Sequence, residues 1–150
     1  MGFFDKIFAA VAASKPEIDN EQEAFVTIIV AAASADGILE VHEWDTIVDT
    51  LFQKRMFDGM DLKELVGECI DNLKRFESLA EAVNDCAPLI QSGNRNMVFS
   101  VAVDIVLIDG SISPQEQEII EHLKEKLAIS DDFAMKAVEV MLARNFGNAA

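Results

Sequence analysis

Apolar residues recur at helical spacing along the whole chain. Phe3, Phe4, Ile7, Phe8 and Val11 fall at i, i+1, i+4, i+5 and i+8, opposite Asp5 and Lys6, and predict a short amphipathic helix. Lys15, Pro16 and Glu17 read as a linker. Residues 20–35 are apolar nearly all round, with Phe25, Ile28, Ile29 and Ala32 on one side and the small Ala31, Ala33 and Ala35 permitting close approach; such a helix belongs at the centre of a fold. After the Asp36-Gly37 turn, Trp44, Ile47, Val48 and Leu51 form the buried stripe of a helix over 41–55, leaving Asp45 and Asp49 in water.

Asp61 is a good N-cap for the most regular helix, 62–76, whose Leu62, Leu65, Val66, Cys69, Ile70 and Leu73 share one face. Ser78 and Glu81 have the spacing of a capping box for 79–92, with Pro88 kinking or shortening the last turn. A further apolar helix, 94–108, leads to Asp109-Gly110. Ser113-Pro114-Gln115-Glu116 then combines an N-cap, a proline at the first helical position and a capping-box glutamate, opening a helix to residue 127. The last helix starts near Ser130, carries Asp131 and Asp132 on its positive end, and turns Phe133, Ala137, Val138, Met141 and Leu142 inward. Sustained period-two alternation is absent, so the fold class is all-α, with about seven to eight helices. The expected organisation is an N-terminal helix over 1–15 and one helical domain over 16–150.

At 150 residues and 51% apolar, the chain can bury a core without metal or disulfide. The net charge of −15 must then lie on the surface; it repels nucleic-acid phosphates and attracts metal cations and basic protein segments. The longest apolar run, 24–35, is too short to span a bilayer, and the absence of a signal-peptide pattern points to the cytoplasm. Cys69 and Cys86 both fall on apolar helix faces and read as reduced core thiols.

Residues 35–43, Ala-Asp-Gly-Ile-Leu-Glu-Val-His-Glu, align without a gap on residues 108–116, Ile-Asp-Gly-Ser-Ile-Ser-Pro-Gln-Glu, 73 positions later. In both, an apolar helix precedes Asp-Gly, an aliphatic residue follows the Asp by three and a Glu follows it by seven. A duplicated helix, Asp-Gly loop, helix unit, about 20–55 and 94–127, accounts for this. The spacing also matches the second half of an EF-hand, but the leading ligands would be Ala32 and Ser34, and Ile105 and Leu107, which supply no carboxylates. Two readings stay open for Asp36, Glu43, Asp109 and Glu116. They are turn and capping chemistry, or they converge on an oxygen-ligand site for Mg²⁺, Mn²⁺ or Ca²⁺. Glu116 behind Ser113 suits the first reading; Glu43, behind the poor cap Glu40, suits the second.

With the opening Met-Gly-Phe-Phe-Asp-Lys-Ile, these paired loops resemble the TerB-type tellurite-resistance proteins over nearly the whole chain. The resemblance implies an all-helical fold with an internal repeat and no established reaction. It also implies a stress-response role, with the acidic loop surface as a divalent-metal or partner site carried by Asp36, Glu43, Asp109 and Glu116. The first loop departs from the family pattern in lacking a polar N-cap.

Other features change the picture less. No nucleophile motif or phosphate-cradling glycine loop supports catalysis, and His42 and His122 stand alone, as surface residues do. Asn96, Ser100 and Asp104 read as a solvated strip. Phe3, Phe4, Ile7 and Phe8 suit contact with a partner helix or with the inner face of a membrane, or packing back on the domain; Lys6 and Lys15 are the cations at hand for anionic lipid. Lys6 stands where a myristoylation signal needs Ser or Thr. The competing function is a metal-free helical scaffold that recruits a protein while its loops serve structure alone.

Overall fold

A computed structural model describes residues 2–7, 14–37, 39 and 41–148, the side chains of 41 and 42 excepted. The described residues form helices and no strand. Helix α1 covers residues 3–7. It is followed by α2 (Glu21–Ala33), α3 (Val41–Phe52), α4 (Leu62–Leu73), α5 (Leu79–Cys86), α6 (Arg95–Val106), α7 (Pro114–Lys126) and α8 (Asp131–Arg144). Short 3₁₀ turns at Arg55–Phe57, Ala87–Leu89 and Ser92–Asn94 fill the connections.

Five helix starts are set by side chains that satisfy otherwise orphaned N–H groups. Asn20 Oδ1 accepts from Glu23 N at 2.8 Å, Asp61 Oδ1 from Glu64 N at 3.2 Å, and Ser78 Oγ from Glu81 N at 3.1 Å. Ser113 Oγ accepts from Glu116 N at 3.1 Å, while Ser113 N donates to Glu116 Oε1 at 2.9 Å, a complete capping box. Ser130 caps α8 through Phe133 N. Ser113→Ala removes half of the box and is expected to lower stability by about 1 kcal/mol, read from the urea midpoint.

Helix α2 is the axis of the fold. It is buried from Ala24 to Ala33 and packs on α4, α5, α6 and α7. Its alanines let these neighbours approach closely, and its one buried polar side chain, Thr27, donates to Glu23 O at 2.8 Å. Glu21 ties the start of α2 to the turn before α6, accepting from Gln91 N at 2.6 Å and Asn94 Nδ2 at 3.0 Å. Cys69 and Cys86 are free and buried; burial pushes their thiols up to about 11 and about 12, so both stay protonated at neutral pH.

Several expectations are corrected. The 41–55 and 62–76 helices end earlier, at Phe52 and Leu73, and the 79–92 helix ends at Cys86, shortened as expected ahead of Pro88, which sits in the 3₁₀ turn that follows. Leu142 faces solvent, because α8 packs on α6 through a narrow stripe centred on Ala134 and Ala137. Asp104 is buried rather than solvated, since the end of α8 closes over α6. Asn145 Nδ2 donates to Asp104 Oδ1 at 3.2 Å, and Arg144 lies 3.8 Å from Oδ2.

Candidate functional site: the two Asp-Gly loops

The two loops leave their helices by corresponding hydrogen bonds. Ser34 N bonds Val30 O and Gly37 N bonds Ser34 O; 73 positions later, Leu107 N bonds Val103 O and Gly110 N bonds Leu107 O. Both glycines have positive φ, +140° for Gly37 and +82° for Gly110, a backbone that side chains with a Cβ rarely adopt. The positive-φ glycine turn read from Asp-Gly is thus present at both positions.

Beyond the turn the second loop is described in full. Asp109 Oδ1 accepts from Ser111 N at 3.2 Å and from Ser111 Oγ at 3.3 Å, and Glu116 Oε1 is held by Ser113 N. These bonds leave Asp109 Oδ2 and Glu116 Oε2 for other partners. In the first loop, residues 38 and 40 lie outside the described set. So do the side chain of His42 and the Glu40 side chain whose weak capping drew attention to Glu43.

The loops meet at a cavity of about 160 Å³ lined by Asp36, Glu43, Asp109 and Glu116, with Ala33, Thr46 and the apolar end of α6 as its walls. Ile105 and Val106 are buried, so the carboxylates stand on an apolar floor. Thr46 is the lining residue that sequence reading passed over. Its position three after Glu43, on the same face of α3, was the available signal.

The electrostatics of the cavity register on Glu116, whose carboxyl is held above the ordinary glutamate range. Burial is the largest cause and the charges of Asp36 and Asp109 add to it, against the two bonds to Ser113. Four hard oxygen donors suit Mg²⁺, Mn²⁺ or Ca²⁺ in kind. Among the described residues, however, no three His, Cys, Asp or Glu side chains are gathered closely enough to hold one ion as they stand.

The other candidate surface is α1. Phe3 and Phe4 are 72% and 68% exposed and meet edge to face with ring centres 5.5 Å apart; Ile7 is also exposed, and Phe8 lies outside the described residues. The segment after α1 is tied to the domain where Arg75 donates to Ser14 O at 2.8 Å and Lys15 pairs with Asp85 at 3.0 Å. No helix among the described residues is long and apolar enough to cross a membrane. His122 bonds Asn84 Oδ1 at 2.8 Å and is half-buried.

Comparison with family models gives a match to the one described as tellurite resistance protein TerB, over residues 22–137. Comparison with curated proteins and with solved structures gives no match.

Proposed function

Because the chain belongs to the TerB family of tellurite resistance proteins, we propose that it is a non-catalytic cytoplasmic stress-response module that binds a divalent cation between its two Asp-Gly loops. Asp36, Glu43, Asp109 and Glu116 are the ligands, and Mg²⁺, Mn²⁺ and Ca²⁺ are the ions their oxygens suit. The observation that carries the reading is the common cavity, where carboxylates from two loops far apart in sequence line one space, and where burial together with the charges of Asp36 and Asp109 holds the Glu116 carboxyl above its ordinary range. Like charges placed together in a partly buried site cost free energy that a cation recovers. Binding on this reading includes rotation of the side chains toward a shared point, using oxygens that the turn and the capping box leave over.

On this proposal the 16–150 domain senses the ion, and Phe3, Phe4, Ile7 and Phe8 of the 1–15 segment dock on a protein partner at the inner face of the membrane. Exposure of three of these four apolar side chains supports docking.

Titrating Mn²⁺, Ca²⁺ and Mg²⁺ by calorimetry tests the site. The wild type is expected to bind at least one of them, and Asp36→Asn/Asp109→Asn to lose that heat. Equal heats from the two proteins would remove the cation site. The second reading, a metal-free scaffold with structural loops, draws on the complete capping box at Glu116 and the turn bonds of Asp109. It predicts no saturable heat from either protein.

A further inference from the structure

A second concavity, separate from the carboxylate cavity, runs between the first turn of α5 and the outer face of α7. Its volume is about 480 Å³, within the range of ligand-binding clefts. Leu79, Ala80 and Ile119 give it an apolar floor, and Glu118, Glu121 and Glu125 line it from α7. The three glutamates are exposed and spaced i, i+3 and i+7, so they form one acidic edge. None of them takes part in an ion pair among the described residues, although Lys124 on the same helix pairs with Asp131. His122 is the basic side chain along the groove, and its ring is held by Asn84 across to α5. Like charges at these spacings disfavour the helix that carries them, so the edge is a standing cost in the free protein.

We propose that this groove is a docking site for a basic amphipathic segment of another protein, with aliphatic side chains on the floor and lysine or arginine along the Glu118, Glu121 and Glu125 edge. Charge complementarity selects the occupant. An acidic edge beside an apolar floor, on a chain of net charge −15, repels acidic segments and anionic lipid alike and steers a cationic helix into place. The groove uses none of the four loop carboxylates, so the inference stands apart from the cation proposal.

The test uses the full chain in EDTA and a short fluorescein-labelled helical peptide with leucines on one face and lysines on the other, beside its glutamate counterpart. The lysine peptide is expected to bind, the glutamate peptide not, with amide shifts moving at 79–80 and 118–125. Glu118→Gln/Glu121→Gln/Glu125→Gln should weaken binding about tenfold, and Ala80→Lys should weaken it as well. Glu64→Gln/Glu68→Gln/Glu139→Gln, which removes the same charge from exposed positions elsewhere, should weaken it less than about threefold. Equal losses in the two triple variants, binding of the glutamate peptide, or shifts centred on the Asp-Gly loops or α1 would overturn the proposal. So would self-association that moves the same amides without peptide, which would make a second copy the occupant. With divalent ions absent and the loop carboxylates intact, failure here leaves the calorimetric result standing, and the reverse holds too.

Discussion

Phe25→Ala is expected to cost about 3–5 kcal/mol of stability, the largest effect of any substitution considered, measured as the shift in urea midpoint followed by far-UV circular dichroism without divalent ions. Phe25 is fully buried on α2, and its ring lies 5.7 Å from that of Phe57, which closes the connection after α3. Truncation therefore removes the transfer free energy of a whole ring and opens a void where the neighbouring helices are fixed by other contacts. Because α2 touches α4, α5, α6 and α7, no one neighbour can move in to fill it. A domain with total stability of the usual 5–15 kcal/mol would lose a large part of it. A cost below about 1 kcal/mol would mean that α2 is not the axis of the fold.

That axis was legible in the sequence because an all-round apolar helix has no surface to offer water, and Asn20 and the Asp36-Gly37 turn mark its ends. Serine and aspartate caps were equally legible, since one side chain three residues before an N–H settles the start of a helix whatever packs on it later. Helix ends without a glycine were less so: α3 stops at Phe52 and α5 at Cys86, short of the residues 55 and 92 that periodicity alone suggests, because apolar spacing runs on through the 3₁₀ turns that follow. Asp104 was misread for a related reason: its burial comes from Asn145, 41 residues away, and no local pattern reports a lid supplied by another helix. At the loops, Asp-Gly and Ser113 with Glu116 announced turn and cap. The cavity depends on how α3 and the α2, α6 and α7 ends stand in space, which spacing within one segment does not encode.

Glu116 separates the two readings of those loops, because Glu116→Gln is expected to move stability and cation affinity in opposite directions. The carboxyl is held above its ordinary range in the folded protein, so the folded state keeps its proton to higher pH than the unfolded chain. Its contribution to stability is then fully present below the unfolded value and is lost as pH rises through the folded one. At pH 7 the charge is a liability beside Asp36 and Asp109. Glutamine keeps an oxygen for the Ser113 N–H, as capping boxes allow, and drops the charge. Glu116→Gln should therefore match or exceed the wild type in stability at pH 7, with a flatter profile from the ordinary glutamate range upward, whereas Glu116→Ala should lose about 1 kcal/mol with the cap. If the loops hold a cation, the same glutamine weakens Mn²⁺ binding by about tenfold or more, because a hard ion loses one of its anionic ligands. Binding of Mn²⁺ to the wild type should also release a proton near the folded value of Glu116, seen as a heat that depends on the ionisation enthalpy of the buffer. A glutamine variant that binds Mn²⁺ as tightly as the wild type would assign Glu116 to the cap alone.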